Sequence, residues 1–236
     1  MESPNVNAGA SGVRVAAPSS ITDRFNIVFL FSVNANKRNI FGKREDRRPM
    51  TEAKDDKAVE IYINHVKKWI KEFVIELNLC PFASHPFEND LIKYVIIDFE
   101  SPEDFFPRYF HELLTLTTTA SKEISTTLII VPTGLDGFLF YLDVLETCQD
   151  VLERSDAGGA IQLASFHPDY QFDGTDKDDV TNCTNRSPYP MIHLLRCDEV
   201  EEAIRAYGDA EEIPKRNQTL MRSLGAASLL QITRSD

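Results

Sequence analysis

Apolar residues along this chain fall into segments of two distinct periods. From Lys57 onward, Val59, Tyr62/Ile63, Val66, Trp69/Ile70, Phe73/Val74 and Leu77 recur at helical spacing and predict one long amphipathic helix. Leu79-Cys80-Pro81 ends it, because the residue before a proline is pushed out of the helical region. Leu91 to Phe99 is a near-continuous run rich in Ile and Val, which predicts a buried strand. Ser101-Pro102-Glu103-Asp104 reads as a helix start: a capping hydroxyl, proline at the first position, and acids facing the N-terminal dipole. Phe106, Tyr109/Phe110, Leu113 and Leu116 carry the stripe of that helix.

Thr126 to Val131 predicts a second strand. Asp136 is placed to cap a third helix running to about Glu153, with Phe138, Tyr141/Leu142, Leu145 and Val151/Leu152 inward. Gly158-Gly159 turns the chain into a strand over Ala160–Phe166, and Met191–Arg196 forms a fourth after a polar loop. Asp198 and Glu201 have the spacing of a capping box for a helix closed at Gly208, and a last helix runs from Pro214 to Gly225. The order α-β-α-β-α-β-β-α-α gives an α/β (α+β) class with a small mixed sheet of about four strands packed with helices. The two βα crossovers favour a parallel core, and the long loop leaves the direction of the fourth strand open.

Charge divides the chain. Residues 1–49 hold eight basic and four acidic residues, whereas the rest holds 17 basic and 33 acidic ones, for a net charge of −12. So acidic a body repels phosphate backbones and anionic headgroups, which argues against nucleic acid or a membrane surface as partner. No run of 18 apolar residues is present to span a bilayer. Residues 1–50 are rich in Ala, Ser, Gly and Asn, with an apolar run Phe25–Val33 and a basic cluster Lys37–Arg48. Two readings stay open: a targeting segment for an organelle, or a disordered extension or upstream stretch ahead of a start at Met50. A single α/β domain is expected over 51–230. Four cysteines without metal-ligand spacing point to a reducing, cytoplasmic compartment.

Residues 163–196 concentrate the groups that carry chemistry. His167 and Asp169 flank a proline beyond a strand; in extended chain they share one side and suit acid–base work. His193, on the next strand, comes within reach if the two strands pair. Two histidines and a carboxylate also make a possible metal triad, set against ordinary buried or capping roles. Asn182, Asn185, Arg186 and Ser187 lie in a loop stiffened by two prolines. Arg186 offers a planar fork for a carboxylate or phosphate, and Arg196 is a second anion clamp. The alternative is a loop that satisfies its own backbone.

Cys80 is a candidate nucleophile only if a histidine folds against it, since its helix end raises a thiol pKa. Asp173, Asp176, Asp178 and Asp179 lack the glycine and closing glutamate of a calcium loop. Phosphate loops, serine elbows and zinc spacings are absent, so the cofactor is left open.

The strings LNLCPFA, QLASFHPDYQF, TNRSPYP, IHLLR and IPKRN…LG, in that order, resemble domain-of-unknown-function family 1415 over about residues 57–225. Departures are Cys183, where that family typically has an aromatic, and the acidic stretch Asp176–Asp179. The resemblance brings no activity, substrate or cofactor with it. The residues themselves favour a small-molecule enzyme, of hydrolase or transferase type, acting on an anionic substrate. The alternative is a non-catalytic metabolite-binding or protein-interaction module. The oligomeric state is open.

Overall fold

The computed structural model describes residues 56–233, with side chains to residue 225. The expectations for residues 1–50 lie outside the described residues. The chain runs α1 (Asp56–Trp69), a π-helical segment Ile70–Ile75, α2 (Ser84–Glu88), β1 (Ile92–Ile96), α3 (Pro102–Thr118), β2 (Thr126–Ile130), α4 (Phe138–Arg154) and β3 (Ile161–Phe166). A 3-10 segment Val180–Asn185 leads to β4 (Met191–Arg196), α5 (Cys197–Tyr207), a 3-10 turn Ala210–Glu212 and α6 (Ile213–Thr233).

The sheet order is β1-β2-β4-β3. β1 and β2 are parallel, as the crossover through α3 requires. β4 inserts antiparallel between β2 and β3 and pairs with both. The mixed α/β class is therefore observed. Being an edge strand, β1 is half-buried along its length rather than buried as its apolar run suggested.

Alternation along the strands sends side chains to two cores. Ile129, Val131, Ile161, Ile192 and Leu194 pack under Tyr109 and Leu113 of α3 and Tyr141 and Cys148 of α4. Leu128, Ile130, Ala164, Phe166 and Met191 pack on the other face against Val66, Trp69, Ile70 and Phe73, with Met221 of α6. The layers are thus helix, sheet, helix.

Several local expectations change in detail. Ser101 caps α3 through Asp104 N–H, with Pro102 at the first position, as read from sequence. The buried residue of that first turn is Phe105 rather than Phe106, and Phe110 is exposed. Gly137, not Asp136, stands at the N-cap of α4. No side chain caps α5: the Asp198 carboxylate accepts from the neighbouring Glu199 N–H, so the expected capping box does not form. α6 continues past Gly225, whose φ of 74° kinks it. The first helix widens into a π turn at Ile70, which periodicity does not reveal.

Gly134 shapes the turn between β2 and α4. Its φ is +93°, and a Cβ there would lie 2.0 Å from the Phe99 carbonyl oxygen, so only glycine fits.

Candidate functional site

A cavity of about 950 Å³ lies on the α1/α6 side of the sheet. Its floor is the sheet itself: Thr126 and Leu128 of β2, His193 and Leu195 of β4, Gln162 and Phe166 of β3. Trp69, Ile70 and Val74 come from the end of α1 and its π turn, a distortion often found at functional sites. The loop Leu79–Ala83, the start of α6 and one face of α5 complete the walls. Lys122, Glu202 and Tyr207 are exposed and mark the rim.

His193 sits on β4, an inner strand, opposite Leu128 on one side and Ala164 on the other. Its Nε2 lies 2.6 Å from the Thr126 hydroxyl, which itself lies 2.6 Å from the Leu194 carbonyl oxygen. A hydroxyl has one proton, and at that distance it must go to the carbonyl, since two acceptors so close would repel. Thr126 therefore accepts from His193 Nε2–H, and the ring carries its proton there. Nδ1 is left as a bare acceptor. Among the described residues it has no hydrogen-bond partner, and it is not among the buried polar atoms left unsatisfied, so it faces accessible space. Burial pushes the pKa of His193 down to about 4, so the ring is neutral at pH 7.

Cys80 lines the same cavity. Burial pushes its thiol up to about 11, against smaller opposing effects from the Phe82 and Ala83 backbone and Arg216. The sulfur is thus a thiol at neutral pH, not a poised nucleophile. Its loop is held from α6: Asn217 Nδ2 donates to the Leu79 carbonyl at 2.7 Å, and Arg216 donates to the Asn78 carbonyl. Asn78 takes the left-handed conformation this tight turn needs, with φ of 52°.

His167 is placed elsewhere. β3 and β4 do pair, but His193 is opposite Ala164, and His167 lies three residues beyond that position. Three residues of strand are roughly 10 Å, and an odd offset points to the opposite face. The His167 ring is fully buried against Phe138 and Tyr141 of α4. Both nitrogens are engaged: Nε2 with the Leu135 carbonyl at 2.9 Å and Nδ1 with the Asp169 N–H at 2.9 Å. Desolvation lowers its pKa, partly offset by the Leu135 carbonyl and nearby carboxylates.

Asp169 does not share a ligand with His167. Residues 167–170 form a turn, closed by Tyr170 N–H to the His167 carbonyl, with Pro168 preset for its second position. The Asp169 carboxylate is exposed. No metal triad assembles, and among the described residues no cluster of His, Cys, Asp or Glu is placed to hold a metal ion.

Most of the polar loop is spent on itself. Asn182 accepts from Phe172 N–H and the Thr175 hydroxyl and donates to the Asp176 carbonyl. Arg186 donates to the Tyr170 and Lys177 carbonyls, and Ser187 to the Tyr189 carbonyl. Arg196 binds the Leu116, Thr119 and Ile124 carbonyls, closing the C-terminal end of α3 as a cation suits. It touches the cavity margin with its guanidinium so engaged. Asn185 alone of the loop candidates both lines the cavity and stays buried, donating to the Ser165 carbonyl.

Sequence reasoning missed Trp69 and Thr126. Trp69 read as one more core position, yet its indole N–H is buried without a partner among the described residues. That is a cost of about 1–3 kcal/mol which a wall of pure packing would not carry. Thr126 read as a strand start, and only the register of β4 reveals its partner.

Each of the five strings that carry the family resemblance supplies lining residues: Leu79–Ala83, Gln162 with Phe166 and Phe172, Thr184 with Asn185, His193 with Arg196, and Pro214 with Asn217. A family model described as a protein of unknown function (DUF1415) matches residues 61–231. No curated protein and no solved structure matches the chain.

Proposed function

The chain belongs to the DUF1415 family, whose function is unknown, and on that premise we propose that it binds a small, mostly apolar molecule in the cavity over the sheet, anchored on His193. The observation that carries this reading is the bare Nδ1 of a neutral imidazole, fixed in direction by Thr126 and opening into a cavity with a mainly apolar lining. Ligand sites combine such apolar walls with a few placed polar groups, and a volume near 950 Å³ is at the upper end of their usual range. The placement of Arg186 and Arg196 on backbone carbonyls leaves the anionic-substrate reading without its clamps.

Proton abstraction by Nδ1 is the second reading, because the Thr126 contact orients the ring as a general base would be oriented. A base with a pKa of about 4 is weak at neutral pH, which is why binding stands first.

Trp69 is the one tryptophan of the chain and lines the cavity, so its emission reports occupancy there. Titration with 1-bromonaphthalene, an apolar heavy-atom quencher, is expected to quench Trp69 saturably at one equivalent. Ala203→Phe, which fills part of the cavity from α5, is expected to weaken that binding at least about tenfold, worth about 1.4 kcal/mol. Quenching that rises linearly without saturation, unchanged in Ala203→Phe, would show collision at the surface and sink the reading. A bound compound that emerges chemically altered would instead favour the enzyme.

A further inference from the structure

We infer that the end of the ligand seated on the sheet is a hydrogen-bond donor, such as a hydroxyl or amide N–H, and not an anion; this rests on the cavity reading above. Thr126 occupies the only N–H of the neutral His193 ring, so what the floor presents there is a lone pair. A carboxylate or carbonyl placed against it would meet acceptor with acceptor, while a hydroxyl or amide N–H would complete it.

Charge points the same way. The charged residues Lys122 and Glu202 are exposed and sit at the rim. Glu199, behind them, accepts the Ser125 hydroxyl. Arg196 spends its guanidinium on the end of α3, and Arg186 lies outside the lining. An anion brought to His193 would lose its hydration and meet no cation in return, which strongly disfavours it. His193, with its pKa near 4, and the Cys80 thiol, near 11, keep both groups uncharged across the neutral range, so no titration there supplies the missing charge.

The acceptor is also a demanding one. An N–H or O–H donor is not required for an apolar body to enter, but an occupant without one leaves Nδ1 desolvated and unpaired. Discrimination between ligands of equal apolar area should therefore fall on the head group.

Three quenchers that share a ten-carbon bromoalkyl chain separate these possibilities: 10-bromo-1-decanol, its methyl ether, and 10-bromodecanoate, each titrated against Trp69 emission at pH 7. The alcohol is expected to bind about tenfold tighter than the ether and at least tenfold tighter than the carboxylate. In His193→Leu the alcohol's advantage over the ether is expected to vanish, with both still binding. Equal affinity of alcohol and ether in the wild-type protein, or tightest binding of the carboxylate, would overturn the inference while leaving the cavity reading intact. Failure of all three to quench saturably would remove both.

Discussion

Replacing His167 with alanine is expected to destabilise the protein by about 3–5 kcal/mol, with the melting temperature falling by roughly 10 °C. The ring is fully buried between Phe138, Tyr141 and the β2–α4 turn. Truncation removes its packing and leaves a void, and the Leu135 carbonyl loses its donor in a site water cannot easily reach. The Asp169 N–H loses its acceptor too, which loosens the turn that carries the chain away from β3. Urea unfolding followed by circular dichroism measures the loss. Below the melting temperature the folded fraction should still bind 1-bromonaphthalene with wild-type affinity, because the ring is on the far face of the sheet from the cavity. Unchanged stability would contradict the structural role given to His167, and a variant that folds normally and loses only binding would place it in the site.

The second large effect concerns His193 and pH. Its folded-state pKa of about 4 lies below the ordinary 6.5, so the unfolded chain binds the proton more readily. Stability from this group is fully present above about pH 6.5 and is lost as pH falls from there toward 4. At about 1.4 kcal/mol for each pH unit between the two values, the loss reaches about 3 kcal/mol. Carboxylates also titrate over this range, and His167, with its own lowered pKa, adds in the same direction. The contribution of His193 is therefore read as a difference: denaturant curves for wild type and His193→Gln at pH 7 and pH 4.5. The wild-type protein should lose stability faster as the medium is acidified. Parallel losses in both proteins would mean that the imidazole is solvated as in water and that burial does not hold its pKa down.

The two histidines show what a sequence can and cannot tell. All four strands and the main helices were legible, because burial leaves a period of two or of 3.6 in the order of residues. The capping of α3 by Ser101 was legible as well, since its partners are three residues apart. What was not legible depends on register between segments far apart in the chain. His167 and His193 belong to strands that do pair, yet an odd offset puts them on opposite faces. Arg196 looked like an anion clamp for the same reason that it serves α3: a guanidinium suits any converging oxygens, and three carbonyls lie within its reach. The Asn- and Ser-rich loop satisfied its own backbone, the alternative its composition had left open. Thr126 carried no mark at all, since a threonine opening a strand is ordinary until its hydroxyl is seen between a ring nitrogen and a carbonyl.

Nitrogen-15 NMR of the histidine rings tests the role of His193 most directly. At pH 7 the His193 ring should be neutral, with the proton on Nε2 and a bare Nδ1, and addition of 10-bromo-1-decanol should shift the Nδ1 resonance while leaving Nε2 protonated. A ring protonated on Nδ1, a cationic ring at pH 7, or an Nδ1 signal unmoved while Trp69 is quenched would contradict it.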